Sequence, residues 1–301
     1  MRALQFTEYG SPDVLTVAEA PEPHAGPGQV RIRVSAASVN PMDWKIRAGY
    51  LAKMSPSTFP VIPGSDAAGV VDEVGEGVQG VAVGDDVFGS GHAVTAEYAV
   101  LDHFETKPES LSFVEAAGLP MAVETAARAL ADVPFSSGDT VLIDGAAGGV
   151  GSAAVQLAVA RGATVVGTAS ERNHDYLRSL GAIPTTYGPG LAARVRALTD
   201  APITSAVDIV GGGSIAELVE ATGDPARVVS IADFNAGEHG VRVNGGSGER
   251  FYGALAEAAA LAEEGRYVVA VEQTFPLELG SQAQALSQGG HVRGKVVITV
   301  P

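Results

Sequence analysis

The stretch that most constrains this chain is residues 141–170, VLIDGAAGGVGSAAVQLAVARGATVVGTAS. An apolar run enters a glycine cluster, a small-residue helical run follows, and a second apolar run closes the unit, the strand–turn–helix–strand order of a dinucleotide-binding βαβ element. Gly145, Gly148 and Gly151 fall after the strand and at the helix start. At that place backbone N–H groups and the helix dipole favour a phosphate, and missing side chains let a pyrophosphate come close. The usual fingerprint is G-x-G-x-x-G, and its three glycine positions are Ala146, Gly148 and Gly151 here. The backbone of Ala147, Gly148, Gly149 and Val150 is the expected phosphate cradle. A glycine-rich turn with no ligand is the competing reading.

Around this element the texture of the chain changes twice. Residues 1–116 give short β-like runs such as VRIRVSAASV and AAGVVDEVG, punctuated by Gly and Pro, and read as an all-β unit. Residues 117–245 alternate continuous apolar strands (TVLIDG, ATVVGTA, SAVDIVG, RVVSIAD) with helical stretches, which predicts a doubly wound parallel sheet buried on both faces. Residues 246–301 leave that alternation for a helix, a strand near YVVAVEQTF, a short helix and the closing strand GKVVITV, so this segment is expected to return to the first domain. The fold class is therefore α/β.

Residues at the carboxyl ends of the later strands, Val210, Gly211, Ile231 and Asp233, are expected to border the cofactor, because ligands of open parallel sheets bind there. The end of the second strand bears on which dinucleotide binds. An NAD-selective site puts a carboxylate there to hold the ribose hydroxyls, whereas this strand ends in Ala169, Ser170, Glu171 and Arg172. Ser170 and Arg172 offer a hydroxyl and a guanidinium to a 2′-phosphate, which favours NADPH. A one-residue shift would make Glu171 the ribose carboxylate, and Arg172 also reads as a solvated surface charge.

Composition narrows the partners. A formal net charge of -16 leaves no basic field for a phosphodiester backbone, so no nucleic-acid partner is expected. Zero cysteines exclude disulfides, a thiol nucleophile and thiolate-bound metals. The N-terminus lacks the pattern of a cleaved signal and the longer apolar runs are interrupted, so the expectation is a cytoplasmic protein outside the membrane.

Four segments, AASVNPMDWKIRAG (36–49), VIPGSDAAGVVDEVGEGV (61–78), AAGLPMAVETAARAL (116–130) and DGAAGGVGSAAVQLA (144–158), resemble the zinc-independent NADPH:quinone oxidoreductase branch of the medium-chain dehydrogenase/reductase superfamily. The resemblance runs in order through the whole chain. It implies a GroES-like catalytic domain built from both chain ends, a Rossmann NADPH-binding domain between them, and an active site in the cleft. Where zinc-dependent relatives carry a cysteine ligand this chain has Asn40, and where they read Gly-His-Glu it has Gly64, Ser65 and Asp66, which implies no catalytic metal. Without a Lewis acid, hydride delivery to a quinone or α,β-unsaturated carbonyl is favoured over alcohol oxidation.

By the same resemblance Asn40 is expected at the nicotinamide or substrate carbonyl, Thr125 at the nicotinamide, Tyr187 beside the adenosine 2′-phosphate, and His291 and Arg293 where the chain's end re-enters the cleft. Tyr50 could reach the mouth of the site as proton donor, with water as its equal. Asp43 belongs to an N-x-x-D pattern of related enoyl reductases, but is expected to form an ion pair with Lys45 or Arg47. A homodimer through an edge strand at GVRVN (240–244) is also implied. Three functions remain open: quinone reductase, enoyl or 2-alkenal reductase, and a non-catalytic NADPH-binding sensor or structural protein.

Overall fold

The computed structural model describes residues 1–246 and 248–301. It divides into two compact units, Ala122–Ala254 and the pair of segments Met1–Met121 and Leu255–Pro301.

The contiguous unit holds a six-stranded sheet in the order Arg242–Val243, Val228–Ser230, Ile203–Asp208, Thr140–Asp144, Thr164–Thr168, Ala182–Thr185. Every pairing is parallel. Its strands are the continuous apolar runs of the sequence, and Thr140–Asp144 is buried along its whole length. A run buried on both faces is what a parallel sheet covered by helices requires. The first strand of this unit, Thr140–Asp144, lies inside the sheet. From it the chain winds outward through Thr164–Thr168 and Ala182–Thr185, then crosses back to Ile203–Asp208 on the other side. That reversal leaves a crevice at the carboxyl ends of Thr140–Asp144 and Ile203–Asp208.

Helix Gly149–Ala160 is buried continuously over residues 151–158, and its small side chains let it lie close to the sheet. Leu142, Val166, Leu191, Val195, Ile215 and Leu218 belong to one core cluster that joins sheet and helices.

The two-segment unit is built on a second six-stranded sheet, ordered Val271–Pro276, Lys295–Thr299, Val30–Val39, Asp66–Val74, Asp86–His92, Tyr98–Thr106. Val30–Val39 also pairs with Tyr98–Thr106, so four strands close on themselves and hide their edges. The long strand Val30–Val39 alternates at first, burying Val30, Ile32 and Val34, and is then buried on both faces through residues 36–39. Lys295–Thr299 pairs antiparallel with it, setting Val296 opposite Val39. The closing segment thus comes to rest beside Asn40.

One expectation needs correction here. The N-terminal segment is not all β: Pro41–Arg47 is a helix, with Pro41 in its first turn and the Asp43 carboxylate accepting from the Asn40 backbone N–H at 2.7 Å. Proline fixes the first helical φ and an acidic residue at the third position satisfies an open donor, a start signal that the Gly- and Pro-rich flanks concealed.

Candidate functional site

In the contiguous unit the glycine turn is shaped by contacts too close for side chains. A Cβ on Gly151 would lie 2.1 Å from the Gly145 carbonyl oxygen, and Gly145 itself has φ +84°. At Gly148 an added Cβ would meet only that same oxygen, at 3.8 Å, so this glycine faces open space. Gly148 caps helix Gly149–Ala160 with no side chain to offer its first N–H groups. Those donors, with the helix dipole behind them, lie where an anion is electrostatically favoured.

Beneath the turn lie two buried carboxylates on neighbouring strands, Asp144 and Asp208, which are register partners. Asp144 accepts from the Thr168 hydroxyl, whose oxygen in turn accepts from the Gly145 N–H at 3.0 Å. Burial pushes the Asp144 carboxyl up, and the nearby Asp208 charge adds to this. Asp208 accepts from the N–H groups of Val210 and Gly211 at 3.1 and 2.9 Å and from the Ser230 hydroxyl at 2.6 Å. The Ser230 oxygen accepts from the Asp233 N–H at 2.8 Å. These carboxylates shape the strand-end loops that carry Val210, Gly211, Ile231 and Asp233.

Ser170 follows strand Thr164–Thr168, with Glu171 and Arg172 exposed after it. Tyr187, 60% exposed, follows strand Ala182–Thr185. The structure thus brings the turn, Ser170, Arg172, Tyr187, Val210, Gly211, Ile231 and Asp233 to one end of one sheet. The tyrosine's loop is held by a residue that sequence reasoning missed: Arg194 donates to the carbonyl oxygens of Thr186, Tyr187, Gly188 and Pro189 at 2.7–3.1 Å. Thr125 is buried on helix Pro120–Ala131 with its hydroxyl 3.3 Å from Glu124. Fully buried Glu124 also accepts from Arg128 at 3.0 Å and Arg250 at 3.1 Å, a network with no sequence signal beyond the i,i+4 spacing of its first pair.

The two-segment unit holds a different constellation. The Asn40 amide donates to Asp66 at 2.8 Å, and its oxygen accepts from the Lys295 ammonium at 2.6 Å. Asp66 also accepts from the Ser38 hydroxyl at 3.1 Å and the Met121 N–H at 3.0 Å, and Lys295 lies 3.6 Å from it. All of Ser38, Asn40, Asp43, Asp66 and Lys295 are buried. Burial pushes the Asp66 carboxyl up and the Lys295 ammonium down, and each opposes the shift of the other. Three hydrogen bonds and a neighbouring ammonium each favour the charged form of this carboxylate against its burial. The cation of this cluster is therefore the protein's own.

Asp43 does not form the expected ion pair. Its neighbour Arg47 is fully buried and donates instead to Gln284, Gln288 and the Gly10 carbonyl oxygen at 2.7, 2.7 and 2.6 Å. Burial raises the Asp43 carboxyl from 3.8 to about 7. Tyr50 is apart from the cluster's hydrogen bonds, 67% exposed and edge-on to Trp44. His291 and Arg293 are exposed just before the last strand, His291 at 2.6 Å from the Gly289 carbonyl oxygen and the Arg293 N–H on Glu272 at 3.2 Å. Among the described residues no group of three or more His, Asp or Glu side chains is arranged to hold a metal ion.

Comparison with known proteins agrees with this architecture. Residues 26–233 match the alcohol dehydrogenase GroES-like domain and residues 188–298 match the zinc-binding dehydrogenase domain. The chloroplastic quinone-oxidoreductase QR1 of Triphysaria versicolor is 31% identical across 99% of this chain and 98% of its own length. The chain belongs to the quinone oxidoreductase branch of the medium-chain dehydrogenase/reductase superfamily. This superfamily joins a GroES-like β-rich domain to a parallel-sheet nucleotide-binding domain, as the two sheets here do. A solved member of the branch, the quinone oxidoreductase from Coxiella burnetii, superposes with a TM-score of 0.87 at 34% identity, covering 100% of this chain and 99% of that one. The 2-methylene-furan-3-one reductase of Solanum lycopersicum is 42% identical over 60% of this chain, a match that spans only 50% of that protein.

Proposed function

We propose that this protein is an NADPH-dependent reductase of quinones or related conjugated carbonyl compounds that works without a metal. The observation that carries the reading is the Asn40–Asp66–Lys295 cluster. A dication entering it would meet an ammonium already 2.6 Å from the Asn40 oxygen, and Asp66 is occupied by three other donors. That donor set does not fit zinc, and with no Lewis acid to stabilise an alkoxide the favoured acceptor is one that delocalises its own charge.

The dinucleotide fits the contiguous unit, proposed as the cofactor domain: the open space at Gly148 and the uncapped N–H groups of Gly149 and Val150 suit a pyrophosphate. Ser170 and Arg172 would hold the 2′-phosphate, Tyr187 would flank it, and Val210, Gly211, Ile231 and Asp233 would border the rest. NADPH supplies the hydride when bound. This chain's part is positional: Asn40, in the proposed catalytic unit, donates to the acceptor's oxygen as negative charge develops on it, while Thr125 orients the nicotinamide. His291 and Arg293 are further proposed cofactor contacts. Tyr50, exposed and edge-on to Trp44, is the proposed proton donor in competition with water.

The relation to 2-methylene-furan-3-one reductase favours a second reading, reduction of an enone carbon–carbon double bond. Purified protein offered NADPH with a panel of quinones, enones and enoyl thioesters separates the two. Tight NADPH binding with no turnover of any acceptor would refute both and leave a nucleotide-binding protein without catalysis. A homodimer is proposed through the sheet edge at Arg242–Val243, checked by mass in solution. No helix among the described residues is long and apolar enough to cross a membrane. The proposed setting is cytoplasmic.

A further inference from the structure

We propose that Lys295 fixes the hydrogen-bonding polarity of Asn40, so that the amide meets a ligand as a donor and selects an oxygen bearing lone pairs, such as a carbonyl or enolate; this rests on the reductase reading above. An asparagine amide has nearly the same shape either way round, and an isolated one can present its oxygen or its NH2 to a ligand. Asn40 has no such freedom. An ammonium can only donate and a carboxylate can only accept. Lys295 therefore requires the amide oxygen on its side, 2.6 Å away, and Asp66 requires the NH2 on its own, 2.8 Å away. Turning the amide over would set NH2 against ammonium and oxygen against carboxylate, two repulsive contacts inside a cluster where every member is buried.

The ammonium does more than orient. Positive charge on the amide oxygen draws the group toward its charge-separated resonance form, which weakens the oxygen's other lone pair as an acceptor and strengthens the N–H groups as donors. One Nδ2–H is committed to Asp66, and the second is the amide's remaining strong capacity. A donor locked in place before the ligand arrives pays no reorientation as the acceptor's oxygen gains charge. Lys295 reaches this position because the last strand pairs with Val30–Val39, and its aliphatic stem is buried with the head: the residue is 6% exposed. Lys295 acts through Asn40 and is thus a positioning residue.

The test compares the parent protein with Lys295→Met and, should that variant fail to fold, Asp66→Asn with Lys295→Met/Asp66→Asn, so that Lys295 is removed while residue 66 is held constant. Selective 15N labelling of the four asparagines reads the Asn40 side-chain amide directly, assigned by its disappearance in Asn40→Ala. In the parent the two Nδ2 protons are expected to be widely separated, one held downfield by a carboxylate, with slowed exchange. On loss of Lys295 from a folded protein the separation should narrow, with Asp66 where present still accepting one Nδ2–H, NADPH affinity should stay within about twofold, and kcat for a quinone should fall about tenfold or more. An unchanged Asn40 amide signal in the folded variant would overturn the proposal. So would a kcat within about twofold of the parent when Asn40→Ala slows turnover. If the parent reduces no acceptor, the reductase reading fails, while the amide signal still reports whether Lys295 sets Asn40.

Discussion

Asp43 offers a stability prediction whose sign and size follow from its surroundings. Its carboxyl is 5% exposed on helix Pro41–Arg47 and accepts from the Asn40 N–H. Burial, with a contribution from the Asp66 charge, raises it from 3.8 to about 7, against relief from the Asn40 and Gly64 N–H groups and from Lys295. Unfolding returns it to solvent and to its ordinary value. Between these two values the folded state holds a proton that the unfolded state has released, so the stabilising contribution is complete below about pH 4 and is lost as pH rises through 7. Each unit of difference is worth about 1.4 kcal/mol, giving about 4 kcal/mol across the window and about 2.5 kcal/mol between pH 5 and pH 8. Asp43→Asn keeps the shape and the accepting oxygen and never ionises. Urea or thermal unfolding of variant and parent at pH 5, 6, 7 and 8 should show the variant's relative stability climbing with pH and levelling above 8. A difference that is flat, or that favours the variant more in acid, would mean that the folded carboxyl is ionised throughout and the reasoning is wrong.

Three further outcomes can be checked. Arg172→Ala should weaken NADPH binding about tenfold, the scale of one charge-assisted hydrogen bond at an exposed site, and leave NADH unchanged; equal losses for both dinucleotides would remove Arg172 from the 2′-phosphate. Gly151→Ala should disrupt folding of its unit, because the new Cβ lies 2.1 Å from a backbone oxygen, whereas Gly148→Ala, with 3.8 Å to spare, should melt like the parent and bind dinucleotide more weakly. Normal dinucleotide affinity in a folded Gly148→Ala would place the phosphates elsewhere. Glu124→Gln strips the charge partner from Arg128, which is 4% exposed, and should cost about 3–5 kcal/mol in unfolding experiments; an unchanged melting temperature would show that Arg128 is satisfied by Asn244 alone.

How much of this was legible depends on how local each feature is. The glycine turn, the parallel strands and the loops at their carboxyl ends are set by patterns within about ten residues, and each glycine or apolar run shows its reason in place. The Asn40 cluster draws on residues 255 positions apart in the chain, so nothing near Asn40 announces Lys295. Arg194 and Glu124 are likewise ordinary helical charges until the loops they hold are seen. The ion pair expected for Asp43 failed for a definite reason. Lys45, two residues on, points to another side of the helix, and Arg47, at the favourable spacing of four, is taken by Gln284 and Gln288 on helix Gly280–Gln288.

The placement of Lys295–Thr299 inside the sheet, with Val30–Val39 on one side and Val271–Pro276 on the other, has a bearing on synthesis. The ribosome completes residues 122–254 before it reaches this strand, so the parallel-sheet unit can close while the first 121 residues still wait with a vacant sheet position. During that interval the edge at residues 36–39, which the last strand covers in the finished sheet, is open to any other strand, which makes nascent chains stalled before residue 295 a specific aggregation hazard. The strand that ends the hazard is the one that delivers Lys295 to Asn40.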